Sequence, residues 1–223
     1  MSENSGGTKS VALPPGSTFQ PLPASEEGVR DVVFVSGQSG CGKSHFARSW
    51  ASLYMKLWPS RKIYLISGLA EDSTLDALKS IKRVRVETLV SDPIVDIVQA
   101  FKDSLVIIDD VENLEKDQLE AVNKIRDSIC SLGRHTNISL LCLMHLSTNG
   151  KDTRLLLAEM THTVLFPAAC GVAQFRWICE RYLGLDKQEI GRLRKAPSRW
   201  ICIRRKFPST VITENSARLL VTE

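Results

Sequence analysis

The 223-residue sequence predicts an α/β fold with a mainly parallel, buried central sheet between two layers of helices. Three observations carry this. From Asp31 onward, short β-branched runs alternate with helical patterns. A Gly-rich loop separates the first run from an amphipathic helix, and a later apolar run ends in two aspartates. Such alternation implies right-handed βαβ crossovers, whose helices cover both faces of the sheet.

Residues 1–30 are rich in Ser, Gly and Glu, contain Pro14, Pro15, Pro21 and Pro23, and show no apolar period. They read as a flexible N-terminal arm, free or docked on a neighbour. Residues 31–223 then form one domain. Strands are expected at Val32–Ser36, Lys62–Ile66, Val84–Leu89, Leu105–Asp109, Leu140–His145 and Thr163–Phe166. Helices are expected at 43–57, 73–80, 93–102, 115–132, 153–160, 172–183 and 186–195. The fourth is the clearest, with Leu119, Val122, Ile125, Ile129 and Leu132 on one face and Gly133 as a C-terminal cap. Asp72 either orients a substrate loop or starts the second helix with Ser73 as its cap, the second being the simpler reading. A closing pair, Trp200–Arg205 and Val211–Glu214 with Pro208 between, reads as a small C-terminal hairpin.

A net charge of +4 and a pI near 8.8 permit nucleic-acid contact without requiring it. Six cysteines with no CxxC or His/Cys spacing exclude a zinc ribbon and fit a reducing compartment. No apolar run reaches the roughly 18–20 residues that span a bilayer, so no stable membrane insertion is expected.

The Gly-rich loop is Gly37-Gln38-Ser39-Gly40-Cys41-Gly42-Lys43-Ser44, a Walker A motif in its required strand–loop–helix setting. Glycines let backbone N–H groups close on phosphates, and the following helix aims its positive end at them. Lys43 is expected on the β- and γ-phosphates of ATP and Ser44 on Mg2+. Cys41 fills a position that does not call for a thiol, and reads as structural.

Ser104–Asp110 is a buried strand ending in two carboxylates, a Walker B pattern. Asp109 is expected to hold Mg2+ and Asp110 to act as catalytic base toward water. A parallel sheet presents ligands at the carboxyl ends of its strands, which places His145 near the γ-phosphate as a sensor. Arg134, just before that strand, falls at the opposite end. From there it can serve a neighbouring copy as an arginine finger, or lie solvated at a helix end.

The sequence resembles the genome-packaging ATPases of large eukaryotic DNA viruses, virophages and Polinton-type elements, a poxvirus-type branch of the FtsK–HerA superfamily. The resemblance covers about 32–219. Beyond Walker A it rests on Ile66-Ser67-Gly68 with Asp72, Ile107-Ile108-Asp109-Asp110, Gly133-Arg134-His135-Thr136-Asn137 and His145. Leu165-Phe166-Pro167, Leu183-Gly184-Leu185 and Ser198-Arg199-Trp200 complete it. It departs from the wider superfamily at Asp110, where Glu is common, and at His145, where Gln is common. The resemblance implies a RecA-like core with an extra strand between the Walker A and Walker B strands, and Mg2+-dependent ATP hydrolysis. It also implies a homo-oligomeric ring (pentamer or hexamer), translocation of double-stranded DNA, a capsid vertex or portal partner, and a place in the virion or virus factory.

Arg181, Lys187, Arg192, Arg194, Lys195, Arg199, Arg204, Arg205 and Lys206 make the last third basic, suited to DNA phosphates or to solubility and subunit contacts. Arg199 is a second candidate for the finger. Trp58, Trp177 and Trp200 are read as core residues. Two alternatives remain at this level: a P-loop kinase of a small molecule or nucleoside, against which the Asp109-Asp110 pair argues, and an ATP-dependent assembly switch.

Overall fold

A computed structural model describes Pro14, residues 16–145, Gly150 and residues 152–220. The strands are β1 Val32–Ser36, β2 Lys62–Ser67, β3 Ile81–Val84, β4 Ser104–Asp109, β5 Ser139–Met144, β6 His162–Leu165, β7 Ile201–Arg204, β8 Thr210–Thr213 and β9 Ala217–Leu219. They form one sheet in the order β3-β2-β4-β5-β1-β6-β7-β8-β9. All pairings from β3 to β6 are parallel, and those from β6 to β9 are antiparallel. β5 therefore lies between the Walker A and Walker B strands, the extra-strand arrangement of a RecA-like core.

The central strands are buried on both faces, so alternate residues feed two cores. Val33, Val35, Leu105, Ile107, Leu141 and Leu143 point to one face. There they meet α1 (Lys43–Leu57) through Phe46, Ala47, Trp50, Ala51 and Tyr54. Trp50 is 1% exposed, and truncating so large a buried ring costs about 3–5 kcal/mol. Val32, Phe34, Val106, Ile108, Leu140 and Cys142 point to the other face. It is covered by α4 (Lys116–Leu132), α5 (Arg154–Glu159), α6 (Val172–Arg181) and α7 (Lys187–Arg194).

Four expectations need correction. The expected strand Val84–Leu89 is split: β3 ends at Val84, and Val86–Ser91 is a helix, α2, burying Val86 and Leu89. Val86 and Leu89 are three apart, a helical repeat that the β-branched composition concealed. The expected helix at 73–80 is a series of turns, held by Asp72 rather than Ser73: Thr74 N and Leu75 N donate to Asp72 Oδ1 at 2.7 and 2.8 Å. The expected helix at 93–102 is reduced to α3, Ile97–Ala100, with Asp96 accepting from Gln99 N. Gly133 keeps right-handed backbone (φ −61), and the chain continues into a 3₁₀ turn, Gly133–Thr136. The left-handed residue is Asn137, at φ 53. The hairpin forms as expected, and β9 extends it.

Part of the expected arm, 1–13 and Pro15, lies outside the described residues. Its remainder runs along the domain: Phe19 N donates to Glu214 O at 2.9 Å, Trp58 Nε1 to Ala24 O at 2.9 Å, and Arg61 pairs with Glu27 at 2.9 Å. Trp58 thus ties the arm down beneath the Arg61 guanidinium, 3.7 Å from its ring. Trp58, Trp177 and Trp200 pack at the margins of the cores, only partly buried.

Candidate active site

The sheet order brings the carboxyl ends of β1, β5 and β4 side by side. The loop leaving β1 is tied across this edge: Gly37 N donates to Met144 O at 3.2 Å and Gln38 N to Ala169 O at 3.1 Å. Gly42, immediately before α1, takes a left-handed φ of 109°, which a side chain would strain. The amide end of α1 consequently faces the loop, and its first turn carries no acidic residue to compete with an anion.

Lys43 is buried beneath the loop. Its ammonium donates to Gly37 O at 3.0 Å and Gln38 O at 3.3 Å, and lies 3.3 Å from His145 Nδ1. A lysine ammonium only donates, so Nδ1 accepts and the neutral ring carries its proton on Nε2. That Nε2 meets Asp110 Oδ1 in a short hydrogen bond. The His145 backbone N–H donates to Glu112 Oε1 at 2.7 Å. Lys43, His145 and Asp110 therefore form a continuous chain from the phosphate loop to the second Walker B carboxylate. Asp110 sits at φ 50, a left-handed conformation in which its side chain leaves the line of β4.

Asp109, the last residue of β4, pairs with Ser67 of β2 and Leu143 of β5 and is 1% exposed. Burial pushes its carboxyl up to about 7; Asp110 and Asp72 push the same way, and Lys43 opposes them. Its Oδ2 is buried with no hydrogen-bond partner among the described residues. An orphaned carboxylate oxygen beside a phosphate loop is the environment a divalent cation satisfies, so Asp109, with the half-buried Ser44 at the start of α1, fits Mg2+.

Residues beyond the expected set complete the site. Glu112 anchors the His145 backbone, and ligand atoms of Asp110, Glu112 and His145 lie within 4.8 Å of one another. A third carboxylate two residues past the aspartate pair was visible in the sequence as Asp109-Asp110-Val111-Glu112. Gly68 N donates to Asp109 O at 3.1 Å, and a methyl group on Gly68 would overlap the Asp110 carbonyl oxygen. The Ile66-Ser67-Gly68 segment is thus what lets β2 and β4 end in contact.

The two candidate fingers separate. Arg134 is exposed in the 3₁₀ turn before β5, at the opposite end of the sheet from the loop, in a cavity it shares with Arg30, Arg204 and Lys206. Arg199 lies on the loop side, in a cavity with Gly42 and His45, its backbone N donating to Glu214 Oε2 at 2.7 Å. Several basic residues of the last third have internal roles: Arg194 donates to Cys170 O at 2.8 Å, Arg205 to carbonyls at the end of α5 at 3.3 Å, and Lys206 to Arg30 O at 3.3 Å.

Fold and loop together define a P-loop NTPase. Residues 32–131 match the family model for an AAA domain of the dynein-related subfamily. Over 223 residues the chain is 30% identical to the uncharacterized protein V3 of Sputnik virophage, covering 99% of this chain and 89% of that one. The chain belongs to the same family as that virophage protein. Its fold is similar to that of B204, the DNA-packaging ATPase from Sulfolobus Turreted Icosahedral Virus, at 14% identity and TM-score 0.54, covering 86% of this chain and 98% of that one. It is also similar to the genome packaging NTPase B204 from Sulfolobus turreted icosahedral virus 2 in complex with AMPPCP, at 12% identity and TM-score 0.50, covering 87% and 98%. Among the described residues, no helix is long and apolar enough to cross a membrane.

Proposed function

We propose that this chain is an ATP-driven motor that translocates double-stranded DNA into a viral capsid. The observation that carries the reading is the Lys43–His145–Asp110 chain beside the buried Asp109. In this reading a phosphate-binding group, a sensor, a base and a metal-binding carboxylate meet where β1, β4 and β5 end.

ATP binds with its phosphates on the Gly37–Ser44 amides. Lys43 then exchanges the loop carbonyls and His145 for the β- and γ-phosphates. Ser44 and Asp109 would hold Mg2+, which would offset charge on the phosphate oxygens. Asp110, held by His145 Nε2–H, accepts a proton from the attacking water. A bond forms from the water oxygen to the γ-phosphorus as the bond to the β–γ bridging oxygen breaks, and ADP leaves with that electron pair. Released by Lys43, His145 can sense the γ-phosphate only when Nδ1 carries a proton to donate, because a bare Nδ1 is an acceptor like the phosphate oxygens. Asp110 favours hydrolysis over transfer to a small molecule, because it supplies a base for water. The position of Arg134 at the far end of the sheet supports a finger acting in trans within a pentameric or hexameric ring. Duplex DNA meets the basic residues not engaged internally, and a capsid vertex or portal protein receives the ring.

Mixing tests the shared site. Asp110→Asn and Arg134→Ala proteins are each inactive alone, and a mixture recovers hydrolysis because one contributes the base and the other the finger. Wild-type turnover by Arg134→Ala, with no recovery in any mixture with Asp110→Asn, contradicts the arrangement in trans.

A further inference from the structure

A cavity of about 400 Å³ opens directly beside the phosphate loop, in the size range of small-molecule sites. Its floor is the start of α1, from Gly42 through His45 to Ser49, and Trp200 lines it from the C-terminal side. Phe46 backs Trp200 edge-on, with centroids 5.4 Å apart at 72°. The facing wall is the arm, Thr18, Gln20 and Pro21. That wall is held in place: Phe19 N donates to the Glu214 carbonyl at 2.9 Å, while the Glu214 carboxylate accepts from Arg199 N at 2.7 Å and Ser198 Oγ at 3.2 Å.

Cys41 and Gly42 of the phosphate loop also line this cavity, so it lies within reach of the remainder of a nucleoside triphosphate whose phosphates sit on the Gly37–Ser44 amides. Its aromatic wall suits a flat π-face, because stacking is available to every base. We propose that the cavity holds the nucleobase of the bound nucleoside triphosphate, with Trp200 as stacking platform and Thr18–Pro21 as the opposing wall. The inference rests on the phosphate-loop reading. It gives the Ser198-Arg199-Trp200 segment and the arm one shared task, and makes the arm part of the nucleotide site.

Comparing a whole nucleotide with its phosphates alone tests it. Full-length wild type, Trp200→Ala and Ser49→Trp are titrated with Mg2+ and either AMPPCP or inorganic tripolyphosphate. Ser49 is exposed, so filling the cavity from that position leaves the core intact. Wild type should bind AMPPCP more tightly than tripolyphosphate. Trp200→Ala should weaken AMPPCP roughly 5- to 100-fold, the range for losing one stacked base, and Ser49→Trp should weaken it by steric exclusion. Tripolyphosphate binding should be unchanged in both. Equal wild-type affinity for the two ligands overturns the inference while the phosphate-loop reading stands. AMPPCP affinity unchanged in both variants, or equal loss of both ligands in both variants, also overturns it. A wild type that binds neither ligand removes the phosphate-loop reading and this inference with it.

Discussion

Replacing Asp109 with Asn should stabilise the nucleotide-free protein above neutral pH. Folded Asp109 keeps its proton to about pH 7, whereas the unfolded chain releases it near the ordinary value of 3.8. Between these values the folded state binds more protons, so the contribution of Asp109 to stability falls as pH rises through the window. The whole difference amounts to about 4 kcal/mol at pH 8, of which more than half develops between pH 5 and pH 8. Asn removes the titration and keeps the size, so the stability of Asp109→Asn minus wild type should grow by about 2–3 kcal/mol over that interval. Urea unfolding at fixed salt, without metal or nucleotide, measures it, since other titrating groups largely cancel between the two proteins. A difference that stays constant from pH 5 to pH 8 refutes the argument that Asp109 is a buried carboxyl waiting for a cation.

Gly68→Ala should cost about 1–3 kcal/mol in thermal or urea unfolding, because the methyl group must push the Asp110 carbonyl and part the ends of β2 and β4. It should also lower kcat, since Asp110 moves with that carbonyl. His145→Ala should lower kcat roughly 10- to 100-fold with little change in KM, as Asp110 loses the donor that orients it while the phosphate loop remains. Steady-state kinetics separates the two parameters.

Most of the sheet could be read from composition, because buried parallel strands are continuous β-branched runs: β1, β2 and β4 fall within a residue of their expected limits. The region from 73 to 102 was not legible. Its short elements are set by side-chain caps at Asp72 and Asp96 and by burial against α4, and α2 is helical although Val86, Thr88 and Val90 are β-branched. In the site, Walker A and Walker B are local patterns and were visible as such. Gly68 and Glu112 depend on where β2, β4 and β5 end relative to one another, which is a property of the folded sheet. The Lys43–His145–Asp110 chain joins residues up to 102 positions apart, a proximity that only the strand order supplies. The arm was read from its composition and its missing apolar period, which say nothing of the surface Trp58 and Glu214 offer it.

The most direct test of the motor reading is the rate of ATP hydrolysis by the full-length chain with and without duplex DNA, with Asp110→Asn as control. The account predicts slow turnover alone, strong stimulation by duplexes of unrelated sequence that fades as salt rises, and no turnover in Asp110→Asn. Full-rate hydrolysis by the isolated chain, unchanged by DNA at low salt, would contradict it.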